Sequence, residues 1–353
     1  MLRTGRFADK KILLVDRDNK KENDRTWCFW ETTPGYFEEI VYRSWDRIAI
    51  HGPGLSKAFP IAPYRYKMIR GADFYRYCFA VIAEHPNVEF EQAAVGNWQE
   101  TTSGTWIELD GQRADLGKPV LFSAIYKPRA ASLQLLQHFK GWIIEAKQPF
   151  FDPGLATMMD FRTAQAEGTT FVYVLPLDDR RALVEYTLFS KNKLADAAYD
   201  AGLKNYISEQ LGLTDYTILE TETGVIPMTN EKFPIRENGW LLGTAGGQTK
   251  ASSGYTYRFI QKQCDRILAN LLAGKAPAAK NEIPGRFRFY DNTLLYILYH
   301  GKLPGDAIFT RLFKKNKPQQ VLRFLDNETT LAEELRLVSS LPVLPFLQAA
   351  IRH

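Results

Sequence analysis

The spacing of apolar positions changes along the chain. Up to about residue 225, continuous or alternating apolar runs of strand length dominate. The runs that predict strands are residues 10–16, 57–70, 88–90, 105–109, 120–125, 139–146, 171–176, 182–189 and 216–225. Helical spacing occurs at residues 71–84, 197–210 and 257–272, and then at 294–299, 307–313, 319–325 and 331–338. This order of elements predicts a chain of mixed strands and helices with a helical C-terminal region.

Residues 240–263 have the most unusual composition. A short apolar run precedes a cluster of small residues, and a helical pattern follows. The small residues are Gly243, Ala245, Gly246, Gly247, Ala251, Ser252, Ser253 and Gly254. Glycines let a ligand approach the backbone without a Cβ in the way, and the N-terminus of the next helix favours an anionic group. A glycine-rich connection that binds nothing has the same composition, so both interpretations are open at this point.

An acid ends the first predicted strand. Residues 10–15 are typical of a buried parallel strand, and Asp16 follows them. In dinucleotide-binding folds an acid at the end of the second strand bonds the adenosine ribose. The glycine motif G-x-G-x-x-G that precedes such a strand is absent from this chain. Asp16 is therefore either a ribose ligand or an ordinary acid at the end of a strand.

A second acid lies in the middle of an apolar strand. By strand alternation Glu185 shares a face with Leu183, Thr187 and Phe189. Burial disfavours the charged form of a carboxyl, so such a group keeps its proton near neutral pH and can act as an acid. A glutamate that faces solvent from a half-exposed sheet fits the same pattern.

Composition excludes several classes of protein. Hydrophobic residues make up 45% of the chain and charged residues 24%, which is typical of a globular protein with a large core. Three widely spaced cysteines and five histidines show no metal-ligand spacing, and reduced thiols are typical of a cytoplasmic protein. No apolar run is long enough to span a membrane, and no motif that reads nucleic acid is present.

Several strings of residues together resemble the flavin-dependent lycopene β-cyclases of carotenoid-producing bacteria. The most specific are residues 25–30, Arg-Thr-Trp-Cys-Phe-Trp, and the glycine-rich loop at residues 243–256. The other matching strings are residues 11–18, 64–71, 139–142, 183–187 and 224–228. The resemblance covers nearly the whole chain.

The resemblance implies an α/β fold, with an FAD-binding, doubly wound Rossmann-like domain and a sheet-based substrate domain like that of the aromatic hydroxylases. The FAD-binding domain is expected to be discontinuous, with segments at residues 1–55, 71–135 and 229–275. The substrate-binding sheet is expected at residues 56–70 and 136–228. Residues 276–353 are expected to form the helical C-terminal region.

The implied reaction is the redox-neutral cyclisation of the linear ψ-ends of lycopene to β-rings, which gives β-carotene by way of γ-carotene. A proton adds to the terminal double bond, the carbocation closes the ring, and a proton is lost. The family is expected to use reduced FAD to stabilise the cation, and NAD(P)H to keep the flavin reduced. The alternatives are another flavoprotein of this fold, a prenyl-chain reductase or a hydroxylase, and a non-catalytic carotenoid-binding protein.

The same resemblance assigns roles to individual residues. Glu185 occupies the position of the essential carboxylate of the sheet, as proton donor or cation stabiliser. Asp16 is expected to bind the FAD ribose. The other expected flavin contacts are Gly243, Ala245, Gly246, Gly247, Gln248 and Gly254. The expected substrate contacts are Arg25, Trp27 and Glu222.

Two departures from the family pattern affect the flavin site. Thr244 stands where many flavoproteins of this fold have an Asp that bonds the ribityl chain. The first strand and its glycine motif, which would hold the FAD pyrophosphate, are absent. We therefore expect weak FAD binding and an exposed sheet edge, with a start codon placed too late as the cause. The DNA upstream tests this expectation.

Lycopene dissolves in the bilayer, so we expect peripheral contact with the inner face of the cell membrane. The segment from Gly301 to Leu325 carries six Lys and Arg side chains against one acid, and this excess equals the net charge of +5 of the whole chain. Its interleaved apolar residues are Ile308, Phe309, Leu312, Phe313, Leu322 and Phe324. This pattern predicts docking on anionic lipid, and a solvated helical face has the same pattern.

Overall fold

The computed structural model of the protein describes residues 1–278 and 283–352. Its strands are β1 Ile12–Asp16, β2 Thr26–Glu31, β3 Arg43–Trp45, β4 Arg47–Gly52, β5 Leu55–Pro60, β6 Arg65–Arg70, β7 Val88–Gln92, β8 Val95–Glu100, β9 Thr105–Leu109, β10 Gln112–Asp115, β11 Phe122–Ser123, β12 Gln134–Ala146, β13 Leu155–Asp160, β14 Thr169–Pro176, β15 Arg181–Ser190, β16 Tyr216–Thr229 and β17 Trp240–Leu241. Its helices are α1 Gly71–Ala83, α2 Asp196–Tyr206, α3 Tyr257–Leu272, α4 Gly285–Tyr299, α5 Gly305–Lys315, α6 Pro318–Leu325, α7 Leu331–Ser339 and α8 Val343–Ala350. Residues 279–282 and 353 of the predicted helical C-terminal region lie outside the described residues.

A seven-stranded sheet organises the molecule, in the order β16-β12-β15-β14-β13-β4-β5. Its strands pair antiparallel except for β4 and β13, which are parallel. Strands β14 and β15 are apolar and largely buried because helices cover both faces of the sheet. One face packs on α2, and the other packs on side chains from α4, α5 and α6. Glu185 lies on this second face, together with Leu183 and Phe189.

The remaining strands form small sheets around the large one. Strands β2, β6 and β3 make an antiparallel sheet, and the indole of Trp30 in β2 donates a hydrogen bond to the carbonyl of Leu322 in α6. Strands β8, β9 and β10 form a second antiparallel sheet. Two parallel pairs, β1 with β7 and β11 with β17, provide the nucleotide-domain pattern that the sequence predicted.

The predicted strand at the N-terminus is present and parallel, but it is not buried. Leu13 and Leu14 are 41% and 40% exposed, since β1 pairs with β7 alone and no other strand of the described residues covers its second edge. The prediction of a buried strand was therefore wrong.

Other predicted elements differ from the structure in specific ways. The predicted strand over residues 57–70 is two strands, β5 and β6, separated by a turn with a cis Ala62–Pro63 bond. β5 is an edge strand, as its proline predicted. β6 pairs within the small β2-β6-β3 sheet, and β4 belongs to the large sheet because it pairs with β13, so the predicted domain boundaries at residues 55–56 and 70–71 do not follow the sheets.

The C-terminal helices form part of the main core. The side chains of Ile308, Phe309, Leu312, Phe313 and Leu322 are buried, and Phe324 packs against the same core. The prediction that these apolar residues contact lipid was wrong, because they cover the large sheet instead. Among the described residues, no helix combines the length and the hydropathy that crossing a membrane requires.

Candidate functional site

Two carboxylates converge on the face of the large sheet that the C-terminal helices cover. Gly141 of β12 pairs with Glu185 on one side and with Glu222 on the other. Directly opposed residues point to the same face of a sheet, so Glu185 and Glu222 lie on either side of Gly141 on one face. Because Gly141 has no side chain, no side chain stands between the two acids. A Cβ at Gly141 would lie 3.2 Å from Cγ of Glu222 and 3.4 Å from Cγ of Glu185. The glycine therefore makes room for a carboxyl pair.

This environment favours one shared proton. Burial raises the pKa of Glu185 to about 8, with a further contribution from the charge of Glu222, while a hydrogen bond of 2.8 Å from the Thr187 hydroxyl counteracts the rise. Burial also raises the pKa of Glu222, although the Thr26 hydroxyl, at 2.7 Å, and the Glu185 carboxyl oppose this. Two acids in such contact do not both ionise readily, so Glu185 is the protonated member near neutral pH.

Neutral, partly aromatic side chains surround the pair. Tyr173 of β14 pairs directly with Glu185, and its pKa is raised by burial and by the neighbouring Tyr255 and Glu185. Burial, together with the charges of both acids, raises the pKa of the Cys28 thiol. The ring of Tyr255 meets that of Trp30 edge to face, with centroids 4.8 Å apart. These groups remain uncharged, so the carboxyl pair faces a lining of low polarity.

The expected substrate contacts divide between two places. Glu222 is next to Glu185, but Trp27 is not part of this cluster. Its ring contacts Phe74 of α1 and Tyr257 of α3, because Trp27 alternates with Thr26 and Cys28 along β2.

Arg25 is exposed and lies on the side of the predicted ribose ligand. It forms an ion pair with Asp24 at 2.5 Å. Burial is the largest single influence and lowers the pKa of its guanidinium, but the hydrogen bond to Asp24 and the charges of Tyr75, Asp24 and Asp16 together raise that pKa. Asp16 itself ends β1, accepts a hydrogen bond of 2.9 Å from the amide of Asp18 and pairs with Lys20 at 3.1 Å. Its carboxylate is 40% exposed at the carboxyl edge of a parallel pair, where nucleotide folds bind ligands.

The glycine-rich loop follows β17 as a 3₁₀ turn over Gly243–Gly246. Its glycines are required by contacts within the protein. A Cβ at Gly246 would lie 2.5 Å from the carbonyl oxygen of Leu241, and one at Gly247 would lie 2.8 Å from the ring of Phe233. The amides of Gly243, Gly246, Gly247 and Gln248 all donate hydrogen bonds to other atoms of the protein. The structure thus explains these residues by packing, and their contacts with a flavin stay a prediction.

The end of this loop reaches the sheet face that carries the carboxyl pair. Gly254 has a positive φ of 71°, and a Cβ there would overlap the Gln137 side chain of β12. Gln137 and Gly141 are four residues apart on one strand and therefore face the same side. The loop consequently covers the sheet near Glu185.

Several residues of this region were not predicted. Gly141 and Tyr173 reach Glu185 through strand pairing, and Thr26 reaches Glu222 from the separate β2-β6-β3 sheet. Lys250 is almost fully buried in the glycine-rich loop and forms an ion pair of 2.7 Å with Asp291 of α4. In the sequence, the signals that could have indicated this ion pair were Lys250 among small residues and Asp291 within an apolar helix. No group of His, Cys, Asp and Glu side chains in the described parts of the chain could hold a metal ion.

Comparison with known proteins agrees with this architecture. A family model described as lycopene cyclase protein matches residues 4–351. The lycopene beta-cyclase of Pantoea ananas is 24% identical over 370 residues, which cover 97% of this chain and 90% of that protein. The lycopene beta-cyclase of a Paracoccus species is 26% identical over 240 residues, or 61% of this chain and 58% of that protein.

Solved structures share the fold. A geranylgeranyl bacteriochlorophyll reductase-like protein of Thermoplasma acidophilum aligns with a TM-score of 0.53 and 12% identity, over 99% of this chain and 92% of that one. HpxO of Klebsiella pneumoniae, solved with FAD and uric acid, aligns with a TM-score of 0.53 and 14% identity, over 95% and 98%. The chain therefore has the fold of FAD-dependent monooxygenases and reductases, as the sequence predicted.

Proposed function

We propose, from the premise that the chain belongs to the lycopene cyclase family, that it cyclises the ψ-ends of lycopene to β-rings without net oxidation or reduction. The observation that carries this proposal is the pair of Glu185 and Glu222 over Gly141. The reaction needs a carboxyl that is still protonated near neutral pH and a base, both beside an apolar chain, and this pair is suited to supply both in one place.

Glu185 performs the first proton transfer. Its O–H bond breaks as a C–H bond forms at the terminal double bond of lycopene, which leaves a tertiary carbocation on the next carbon. A second double bond of the same end gives its π electrons to that carbon and closes the six-membered ring. The proton that the new ring cation then loses returns to the carboxyl pair, so protons and electrons balance.

Glu222 is suited to receive a proton. Its Oε1 is buried and accepts no hydrogen bond from the described residues, while its other oxygen accepts one from Thr26. The nearby negative charge also stabilises the carbocation, and aromatic faces such as those of Trp30 and Tyr255 add cation–π attraction. A lining of neutral groups limits capture of the cation by water.

The residues present fit one part of FAD better than another. The exposed carboxylate of Asp16 fits the ribose, and the loop at Gly243 is proposed to contact the flavin. The loop amides are used within the protein, so those at 243 and 246–248 offer no cradle for the pyrophosphate. Reduced FAD, when bound, would supply electron density that stabilises the cation, and NAD(P)H is the proposed reductant that maintains it.

Co-expression in lycopene-producing cells tests the function. We expect wild type to make β-carotene and Glu185→Gln to lose at least about 100-fold of this activity, the usual contribution of a positioned acid. Glu220→Gln is the matched control, because Glu220 is an exposed acid on the same strand as Glu222, hydrogen-bonded to Asn23. Equal β-carotene from wild type and Glu185→Gln would refute the assignment.

Product mass separates the alternatives. Cyclisation leaves the mass of lycopene unchanged, whereas a prenyl-chain reductase or a hydroxylase of this fold would increase it. A non-catalytic carotenoid-binding protein would retain lycopene without product. We also propose that the enzyme works in the cytoplasm at the inner face of the membrane, because its substrate is a hydrocarbon.

A further inference from the structure

The last helix exposes an apolar face. The side chains of Val343, Leu344, Leu347 and Ile351, at and just after α8, are 60%, 67%, 58% and 81% exposed. They recur at i, i+1, i+4 and i+8 and therefore lie on one side of the helix. We call these four residues the α8 face. The preceding helix α7 exposes Leu331 and Leu335 as well.

The opposite side of α8 is firmly attached to the protein. Ala349 is buried and Phe346 is partly buried in a cluster with Ile297 of α4 and Ile308 of α5. The turn before α8 is held by a hydrogen bond of 2.6 Å from Arg311 to the carbonyl of Ser340. The helix therefore has a core side of its own, and the α8 face is a second apolar surface.

In sequence, the charges that flank the α8 face have one sign. From Leu335 to Arg352 the chain has two arginines, Arg336 and Arg352, and no acid. The two acids of α7 are neutralised elsewhere, because Glu333 pairs with an arginine of α6 and Glu334 pairs with Arg286 of α4. Apolar side chains flanked only by cations complement an anionic lipid surface.

We propose that the α8 face inserts into the interfacial layer of an anionic bilayer, with Arg336 and Arg352 at the headgroups. This inference rests on the proposed function, which requires a membrane-dissolved substrate. It assigns lipid contact to α8 and leaves the apolar residues of the segment from Gly301 to Leu325 in the core. From that segment Arg311 lies at the turn before α8, where its guanidinium donates to the carbonyl of Ser340.

Vesicle flotation of the full chain tests the proposal. We expect wild type to float with vesicles of phosphatidylcholine and phosphatidylglycerol and to float poorly with phosphatidylcholine alone. The double variant Leu344→Glu/Leu347→Glu should bind at least about ten-fold more weakly, since charge enters the apolar side of an interfacial helix. Val120→Glu is the control, because Val120 is 59% exposed outside the C-terminal helices. It should float like wild type.

Three results would overturn the proposal. The first is a double variant that floats like wild type, and the second is wild type that does not bind the anionic vesicles. A wild-type dimer in sedimentation that the double variant converts to monomer, without any vesicle binding, would identify a second copy as the occupant. Cyclisation of lycopene in detergent micelles is measured in parallel, because the α8 face is not needed there. Wild type that cyclises lycopene in micelles but does not float with anionic vesicles refutes only this inference, and wild type that floats but does not cyclise lycopene refutes only the proposed function.

Discussion

The carboxyl pair predicts that Glu185→Gln stabilises the protein at alkaline pH while it removes activity. Burial and the charge of Glu222 raise the pKa of Glu185 to about 8, from an ordinary value of 4.5. Between these values the folded chain keeps the proton of Glu185 and the unfolded chain has lost it. The contribution of the Glu185 side chain to the free energy of unfolding is therefore fully present below pH 4.5, and it is lost as the pH rises through about 8.

The size of the effect follows from the same two values. They differ by about 3.5 pH units, and at about 1.4 kcal/mol per unit the ionised side chain lowers the free energy of unfolding by at most about 5 kcal/mol. A neutral glutamine of nearly the same shape avoids this cost. We expect wild type and Glu185→Gln to have similar free energies of unfolding near pH 5, and the variant to be more stable by about 3 kcal/mol or more at pH 9.

Urea unfolding from pH 5 to pH 9, followed by tryptophan fluorescence, measures this difference. Glu220→Gln is the control, since that exposed acid should leave the pH dependence of wild type unchanged. The stability curve of Glu185→Gln should separate from that of wild type as the pH rises. Parallel curves, or a variant that loses stability faster than wild type above pH 7, would refute the assignment of a partly buried, protonated Glu185.

Two further predictions concern the same face of the sheet. Activity of wild type should fall above pH about 8, where Glu185 ionises. Glu222→Gln removes the like charge and so lowers the pKa of Glu185. This variant should therefore lose activity at a pH about one unit lower than wild type. If the alkaline fall in activity stayed at the wild-type pH in Glu222→Gln, the result would contradict the pairing of Glu185 with Glu222. Gly254→Ala should cost about 2–4 kcal/mol of unfolding free energy, because its φ is 71° and a Cβ would overlap Gln137. Gly274→Ala, with a φ of 69° and no neighbouring atom within 4 Å, should cost about 1 kcal/mol, and equal losses would show that packing is not the cause.

Local signals in the sequence predicted much of the fold. The bounds of α3 agree with the predicted helix at residues 257–272, because its amphipathic period and the following Gly274 are both local features. The hairpin between β14 and β15 was also predicted, and the amide of Arg181 bonds the Asp178 side chain in it. Alternation along β15 correctly placed Glu185 with Leu183 and Phe189.

Features that depend on distant segments could not be predicted. Gly141, Glu185 and Glu222 are far apart in sequence, and no local pattern indicates that β12 lies between β15 and β16. The segment from Gly301 to Leu325 shows the second limit. An amphipathic helix has the same pattern whether a sheet or a lipid surface covers its apolar side, so its hydropathy could not identify the partner.

Gly141 also makes the alignment of three strands part of the chemistry. If β12 shifted by one residue against its neighbours, Lys140 or Trp142 would stand between the two acids, and one set of side chains would turn to the other face. Such a protein could keep its helices, its sheet and much of its core. An insertion or deletion of one residue beside β12 could therefore yield a folded but inactive enzyme. Circular dichroism alone would not detect the shifted strand register.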